Sequence, residues 1–380
     1  MKIALVHDYI KEFGGAERVL RVLADMYPEA PIYTAFAVRN SDAYRAFSDR
    51  RIVESRLAPL IRPWRLYSPL RFLLPWIWES IDLSDYDLVI TSCSNYIARG
   101  FTVSEKTKVV AYCHTPPRFL YGYATSFDWQ KYWPVRVYGE IIGHFLRIYD
   151  FQTASKIDHW IANSKNVAAR IEKFYRKESV VIYPPINVDE IKKSSLNAEK
   201  GDFYLIVSRL VGSKGLEDAV VAARKAKVKL KIAGASVGLP YLRNDLQKLG
   251  GKYIEFLGRV TDDELWRLYA RAKGFIALAR DEDFGMTVVE AQAAGTPVIA
   301  FNGGGFKESV IDGRTGILID PPTREVSDGR GDTDYVINQL GRAFRKFEKI
   351  EWNRKLIQKN AEGFSRIRFE REIKVYLKNI

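Results

Sequence analysis

The sequence predicts two doubly wound α/β domains in succession, and three observations carry that expectation. The chain has 380 residues, more than one hydrophobic core usually serves. Its apolar stretches are short continuous runs separated by segments of helical period, the pattern of parallel strands covered on both faces. That pattern begins twice, with a polar, lysine-rich stretch between the two halves. A hydrophobic content of 47% with 28% charged residues is that of a globular chain rather than a disordered one.

In the first half, "KIALVHD" reads as a strand. After "YIKEFGG" comes "AERVLRVLADMY", with apolar residues at helical spacing. "DLVITSCS", "KVVAYCH" and "HWIANS" are further strands, the last leading into the helix "KNVAARIEKFY". "VVIYPPI" then runs into "NVDEIKKSSLNAEKGD", whose composition marks a linker. In the second half "FYLIVSRL", "LKIAG", "YIEFLGRV", "GFIALAR", "PVIAF" and "TGILID" read as strands. "LEDAVVAARKAK", "YLRNDLQKL", "DDELWRLYARA" and "MTVVEAQAA" are the helices between them. The expected division is a first domain at 1–185, a linker at 186–201 and a second domain at 202–362. A basic helix at 363–380 packs back towards the first domain. No short repeat is present, which excludes a solenoid.

Composition narrows the function classes. Two cysteines, Cys93 and Cys113, cannot form a disulfide framework. Met1 leads straight into a strand, and the apolar "FLLPWIW" is too short to span a bilayer, so the expected location is the cytoplasm. Lysine and arginine exceed aspartate and glutamate by 59 to 46, a formal charge of +13 that calls for an anionic partner. Nucleic acid is disfavoured, since the charge is dispersed and no binding motif accompanies it. Between Arg50 and Arg71 six arginines mix with apolar and aromatic residues, followed by Trp76 and Trp78. That mixture fits either a membrane-interface segment at 57–78 carrying Arg62, Trp64, Arg65 and Arg71, or a basic face with its aromatics in the core.

Ligands of open α/β sheets bind beyond the carboxyl ends of the strands, and the unusual residues gather there. Gly14 and Gly15 follow the first strand and open a helix, although a plain strand-to-helix turn reads the same way. His114 ends another strand, with function and structure both open to it; four histidines in all make a metal site a poor reading. Arg209 and Lys214 bracket a loop with Gly212 and Gly215. Two cations, bare backbone and a helix start suit a diphosphate, although no Walker loop is present. In "DEDFGMTVVEAQAAGTPVIA", Glu282 precedes a helix and Glu290 lies a turn inside it. Dipole stabilisation explains the first carboxylate but not the second, which suits ribose hydroxyls.

E-x7-E with an intervening Phe-Gly, then "EAQAAGTPVIA", resembles the retaining glycosyltransferases of family 4, whose fold is GT-B: two Rossmann-like doubly wound domains facing a central cleft. The agreement extends over nearly the whole chain, through "YCHTPPRFLYGY", "SRLVGSKG", "FLGRV" and "GGGFKESVIDGRTGIL". Within the family the chain looks most like mannosyltransferases of O-antigen and surface-polysaccharide assembly. The resemblance implies GDP-mannose as donor, with Arg209 and Lys214 on its diphosphate and Glu290 on its ribose. Gly258, Arg259 and Val260 would lie beside the base. Glu282, with the turn of Phe284, Gly285, Met286 and Thr287, would position the sugar. His114 would touch the transferred sugar, and Gly14 and Gly15 would line the cleft. It further implies no metal or other cofactor, same-face attack in preference to double displacement, and a glycan or polyprenyl-linked acceptor met at the inner face of the cell membrane. A UDP-sugar donor, a sugar-nucleotide epimerase and a non-catalytic sugar-nucleotide binder are the competing readings.

Overall fold

The computed structural model describes residues 1–63, 66–123, 132–196, 198–211, 214–235, 240–322 and 331–380, which form two compact units. Unit 1 comprises Met1–Pro185 together with Phe369–Ile380. Its seven strands are β1 (Ile3–His7), β2 (Ile32–Thr34), β3 (Ile52–Glu54), β4 (Leu88–Cys93), β5 (Lys108–Cys113), β6 (His159–Ala162) and β7 (Val180–Val181). All pair in parallel, in the order β3-β2-β1-β4-β5-β6-β7. The chain therefore builds outward from β1 on one side, then returns to build from β4 on the other.

Both faces of the sheet are covered, as continuous apolar strands require. Along β5, Val109, Ala111 and Cys113 join one core cluster while Val110 and Tyr112 join the other, the two-residue period of a strand sorting them. On the second face the helix Gly15–Met26 contributes Val19, Leu20 and Leu23, and the helix Arg366–Lys378 contributes Phe369 and Ile373. Phe369, with no exposed surface, meets Tyr112 edge to face at 5.7 Å between ring centres. On the first face lies the long helix Trp133–Ser155, whose inner side carries Leu146, Asp150 and Ala154. Asp150 is paired with Arg99, both out of water. Tyr121 Oη donates to the same carboxylate at 2.7 Å, and Arg99 donates to Tyr175 Oη at 3.1 Å.

The arginine-rich stretch 57–78 is divided between core and surface. Leu74, Ile77 and Trp78 are buried, and the Trp78 indole donates to the Tyr96 carbonyl at 2.8 Å. Arg62 pairs with Glu54 at 3.0 Å, and the Arg71 guanidinium lies 4.2 Å above the Phe119 ring. Phe72 and Trp76 face outward; Trp64 and Arg65 lie outside the described residues.

Unit 2 is Ile186–Arg368. Its strands are β8 (Tyr204–Val207), β9 (Leu230–Ala233), β10 (Ile254–Gly258), β11 (Gly274–Ala277), β12 (Val298–Phe301) and β13 (Gly316–Ile319). They form a parallel sheet in the order β10-β9-β8-β11-β12-β13, reversing direction between β8 and β11. The lysine-rich stretch that reads as a linker is not extended chain. It forms the helix Val188–Ser194, which buries Val188 and Ile191 and turns its lysines outward, so composition reported only its solvent face. The start and end of the unit are laced together, Ile186 N–H to Phe364 O and Arg366 N–H to Ile186 O, each 3.0 Å.

Truncating Phe369 to alanine empties a site in unit 1 that the chain reaches only after unit 2 is complete. The expected cost is about 3–5 kcal/mol. Hydrogen exchange should show protection lost in β4 and β5 while β11 and β12 keep theirs.

Candidate active site

In each sheet the loops at the carboxyl ends of the strands diverge where the strand order reverses, and that edge offers a crevice for a ligand. In unit 2 those loops follow β8 and β11. The first carries Arg209, exposed, and Lys214; Gly212 between them lies outside the described residues. It ends at Gly215, whose φ of +64° and 2.7 Å clearance from the Leu278 backbone to any added Cβ leave room for glycine alone. The turn is thereby seated on the chain leaving β11, and the helix Leu216–Ala226 starts from it.

The second loop carries Glu282, and the two loops are joined by charge: Lys214 Nζ donates to Glu282 Oε2 at 2.7 Å, each side chain about a quarter or less exposed. Behind Glu282 lies the glycine run after β12. Gly305 N–H donates to Glu282 O at 2.9 Å, and a Cβ on Gly304 would stand 2.4 Å from the same oxygen. Phe284 turns into the core against Phe364, leaving its backbone at the start of the helix Met286–Ala293. Gly285 and the amides of Met286 and Thr287 form that helix start. Glu290 is buried one turn further on, and its Oε2 accepts from Tyr269 Oη at 2.9 Å. Gly258, Arg259 and Val260 end β10, at the same edge of the sheet but two strands from β8, with Arg259 exposed.

In unit 1 the reversal falls between β1 and β4. Gly14 caps the helix Gly15–Met26, and its amide donates to Glu17 Oε2 at 2.9 Å. The other oxygen of Glu17 lies 3.5 Å from His7 Nε2. His7 Nδ1 is 3.2 Å from the Ser92 carbonyl oxygen and 3.0 Å from Ser92 Oγ, which in turn is 2.8 Å from His114 Nε2. A buried chain of four side chains thus runs from the Gly14 turn to His114. Two tautomer patterns satisfy it: His7 donates either from Nδ1 to the Ser92 carbonyl or from Nε2 to the Glu17 carboxylate, and the Ser92 hydroxyl donates to whichever facing imidazole nitrogen is left as an acceptor. Burial, with the neighbouring His7 as a second cause, pushes the His114 pKa down to about 3. At working pH this imidazole is therefore a neutral hydrogen-bonding group and not an acid.

The structure gathers Arg209, Lys214, Gly215, Glu282, Phe284, Gly285, Met286 and Thr287 at one reversal point, and Gly14, Gly15 and His114 at the other. Glu290 does not project like Glu282; it is held in the wall by Tyr269. Sequence reasoning missed Tyr269, His7, Ser92 and Glu17. For two of them the available signal was position: His7 and Ser92 are polar residues at the carboxyl ends of largely apolar strands. Among the described residues no three His, Cys, Asp or Glu side chains cluster as a metal site.

Residues 13–190 match the family described as Glycosyltransferase Family 4, and residues 187–328 match Glycosyl transferases group 1. An uncharacterized glycosyltransferase of Methanocaldococcus jannaschii is 30% identical over 42% of this chain and 45% of its own length. The alpha-1,3/1,6-mannosyltransferase ALG2 of Dictyostelium discoideum is 25% identical over 63% of this chain and 65% of its own. The chain therefore spans between about half and two thirds of these curated relatives. Among solved structures, Anabaena Alr3699/HepE in complex with UDP-glucose superposes with a TM-score of 0.66 over all of both chains at 18% identity, a likeness of fold.

The direction of the buried chain is open to measurement. In protein labelled with ¹⁵N-histidine, His114 should show a single neutral tautomer and no titration from pH 8 to 5, and Ser92→Ala should release the tautomer preference. Below the ordinary histidine pKa the unfolded chain takes up a proton that the folded His114 refuses, so its contribution to stability falls as pH is lowered from about 6.5 towards 3. His114→Gln should flatten that part of the urea-unfolding profile. Titration near 6.5 would contradict the neutral imidazole, and the nitrogen that carries the proton tells which way the chain runs.

Proposed function

We propose, for a chain that carries Glycosyltransferase Family 4 and Glycosyl transferases group 1 regions on a GT-B fold, that it transfers a hexose with retention from a sugar nucleotide to a glycan or lipid-linked acceptor. The observation that carries the reading is the Lys214–Glu282 pair at the reversal point of unit 2. A lysine already partnered by a carboxylate is a diphosphate ligand held in reserve. When the donor enters, Lys214 and Arg209 turn to the phosphates, and Glu282 is released to accept from hydroxyls of the sugar. Glu290, steadied by Tyr269, receives the ribose hydroxyls, for which a carboxylate has ample acceptor capacity. Gly258, Arg259 and Val260 flank the base.

In the reaction the bond from the anomeric carbon to the phosphate oxygen breaks with its electron pair leaving on the nucleotide diphosphate. The acceptor oxygen attacks the same face, and its proton passes to the departing phosphate oxygen. Arg209, Lys214 and the helix-start amides offset the charge that builds there. His114, neutral, holds a sugar hydroxyl, and Gly14 and Gly15 leave space beside the phosphates and the acceptor.

The donor we favour is GDP-mannose. The mannosyltransferase among the relatives and the resemblance of the "YCHTPPRFLYGY" and "EDFGMTVVEAQAAGTPVIA" segments support it. A UDP-sugar is the second reading, favoured by the UDP-glucose bound to the Anabaena neighbour. A thermal-shift panel of GDP-mannose, UDP-sugars and the free diphosphates separates the two, since a specific ligand raises apparent stability with concentration. Donor incubated alone should remain unisomerised, which tells a transferase from an epimerase.

Arg209→Ala and Lys214→Ala should each lower turnover by roughly 10²–10³-fold, the usual effect of removing one contact to developing charge. Both variants should keep the wild-type melting temperature within a few degrees. Transfer should persist in EDTA, and the product should be α-linked. Near-normal turnover in either variant, or a metal requirement restored by magnesium, would show that the diphosphate is held by other groups.

A further inference from the structure

Beside its chain of histidines, the opening of unit 1 has a wall of aromatic rings. Tyr9 follows β1, Phe36 follows β2 and Tyr96 follows β4, so strand pairing brings all three to the carboxyl edge of the sheet. Tyr9 stacks on Phe36 at 5.3 Å between ring centres, and Phe36 stacks on Tyr67 at 5.0 Å. Tyr96 stands edge-on to Tyr9 at 5.6 Å. Phe36 and Tyr96 are out of water, while Tyr9 and Tyr67 are half-buried. A half-buried tyrosine offers a ring to the apolar side of a sugar and a hydroxyl to its polar groups.

One cation stands among these rings. The Arg71 guanidinium lies 4.2 Å above the ring of Phe119, in the turn that follows β5 and His114. It is within electrostatic reach of the Tyr9, Tyr96 and Tyr67 phenols. Its Nε is buried with no hydrogen-bond partner, and among the described residues no carboxylate forms an ion pair with it. Asp8 is near enough to act on its charge, but the Asp8 carboxylate is committed to the amides of Tyr96 and Ala98 at 3.0 and 3.2 Å. Lys11, by contrast, is matched by Glu12 at 3.2 Å and donates to Tyr67 Oη at 2.7 Å. Burial is the first cause acting on Arg71 and lowers its pKa, as for a cation withdrawn from water without a full counter-charge. A guanidinium stays charged nonetheless. Stacking on Phe119 uses its face and leaves the N–H donors of its edge, whose planar array fits a carboxylate or a phosphate.

We propose that Arg71, with the Tyr9 hydroxyl beside it, forms an anion subsite that selects an acceptor sugar bearing an acidic group, a carboxylate or a phosphate ester. The inference rests on the transfer reaction proposed above and deepens it by naming the charge of the acceptor. His114 meets hydroxyls, and Arg71 meets the acid.

The test uses the full chain and sugars that differ in one group. Isothermal titration compares methyl α-glucuronoside and methyl α-glucoside 6-phosphate with methyl α-glucoside. At least one acidic sugar should bind about tenfold more tightly than the neutral one, the effect of one charge-assisted contact. Whichever of the two leads identifies the acid. Arg71→Gln should reduce its affinity to the neutral level, and Arg71→Lys should restore only part, because a point charge lacks the planar fork. Tyr9→Phe should weaken it about threefold. The double variant Arg209→Ala/Lys214→Ala should keep the preference, which places the anion away from the diphosphate groups of unit 2. Equal affinity for acidic and neutral sugars, or no binding of any of them, would overturn the proposal. So would a preference that outlasts Arg71→Gln or disappears in the unit 2 double variant. An Arg71-dependent preference in a protein that no sugar nucleotide stabilises would sink the transferase reading alone.

Discussion

One constraint of parallel sheets governs where chemistry can occur in this molecule: a strand order that changes direction parts the loops at the carboxyl edge in one place per sheet. β1 and β4 part in unit 1, β8 and β11 in unit 2. Every local device then serves that opening. Gly215 lets the first loop of unit 2 rest on Leu278, and the glycine run after β12 presses the second loop from behind. In unit 1 the Asp8 carboxylate, whose pKa burial raises, accepts the amides of Tyr96 and Ala98 and fixes the loop leaving β4. At each opening backbone geometry sets the loops, and side-chain hydrogen bonds then hold Glu282 and His114 within them.

The two openings are electrically unlike. That of unit 2 carries full charges in an exposed or half-exposed setting, with Lys214 and Glu282 neutralising each other. That of unit 1 is lined by buried, hydrogen-bonded groups, and His114 is kept neutral by its surroundings. A polyanion is suited to the first and hydroxyl groups to the second. Within unit 1, Arg99 and Asp150 form a fully buried pair. Removing either partner would leave an uncompensated charge, which makes the position of the long helix expensive to change.

Much of this was legible in the sequence because parallel strands are continuous apolar words with polar endings. "GFIALAR" and "PVIAF" became β11 and β12, and Glu282 stands in the loop between them, where the motif implied. What remained hidden lay in contacts between distant segments. His7 and Ser92 are 85 positions apart and meet only because β1 pairs with β4. Tyr269 reaches Glu290 from the preceding helix, a contact no local pattern encodes. The short strands β2 and β3 carry too few residues for a period to show. At 57–78 the tryptophans gave no sign of side: Trp78 is in the core and Trp76 is not. The helix Trp133–Ser155 went unassigned, since residues apolar on two faces give no one-sided helical period.

Unit 1 is also a discontinuous stretch of chain, and that shapes its history on the ribosome. Phe369 and Ile373 complete the cluster on its second face, yet they are synthesised after all of unit 2. Vectorial synthesis, which ordinarily lets the N-terminal part close first, cannot supply this unit's last helix until the chain is nearly finished. The nascent first unit must wait with one face of its sheet incompletely covered while the second, whose segment is contiguous, closes upon itself. The lacing of Ile186 to Phe364 and Arg366 then delivers the closing helix near its point of departure. That shortens the loop unit 1 must close from the whole of unit 2 to a few residues. The last helix of unit 1 is thus placed for closure by the fold of the unit inserted before it.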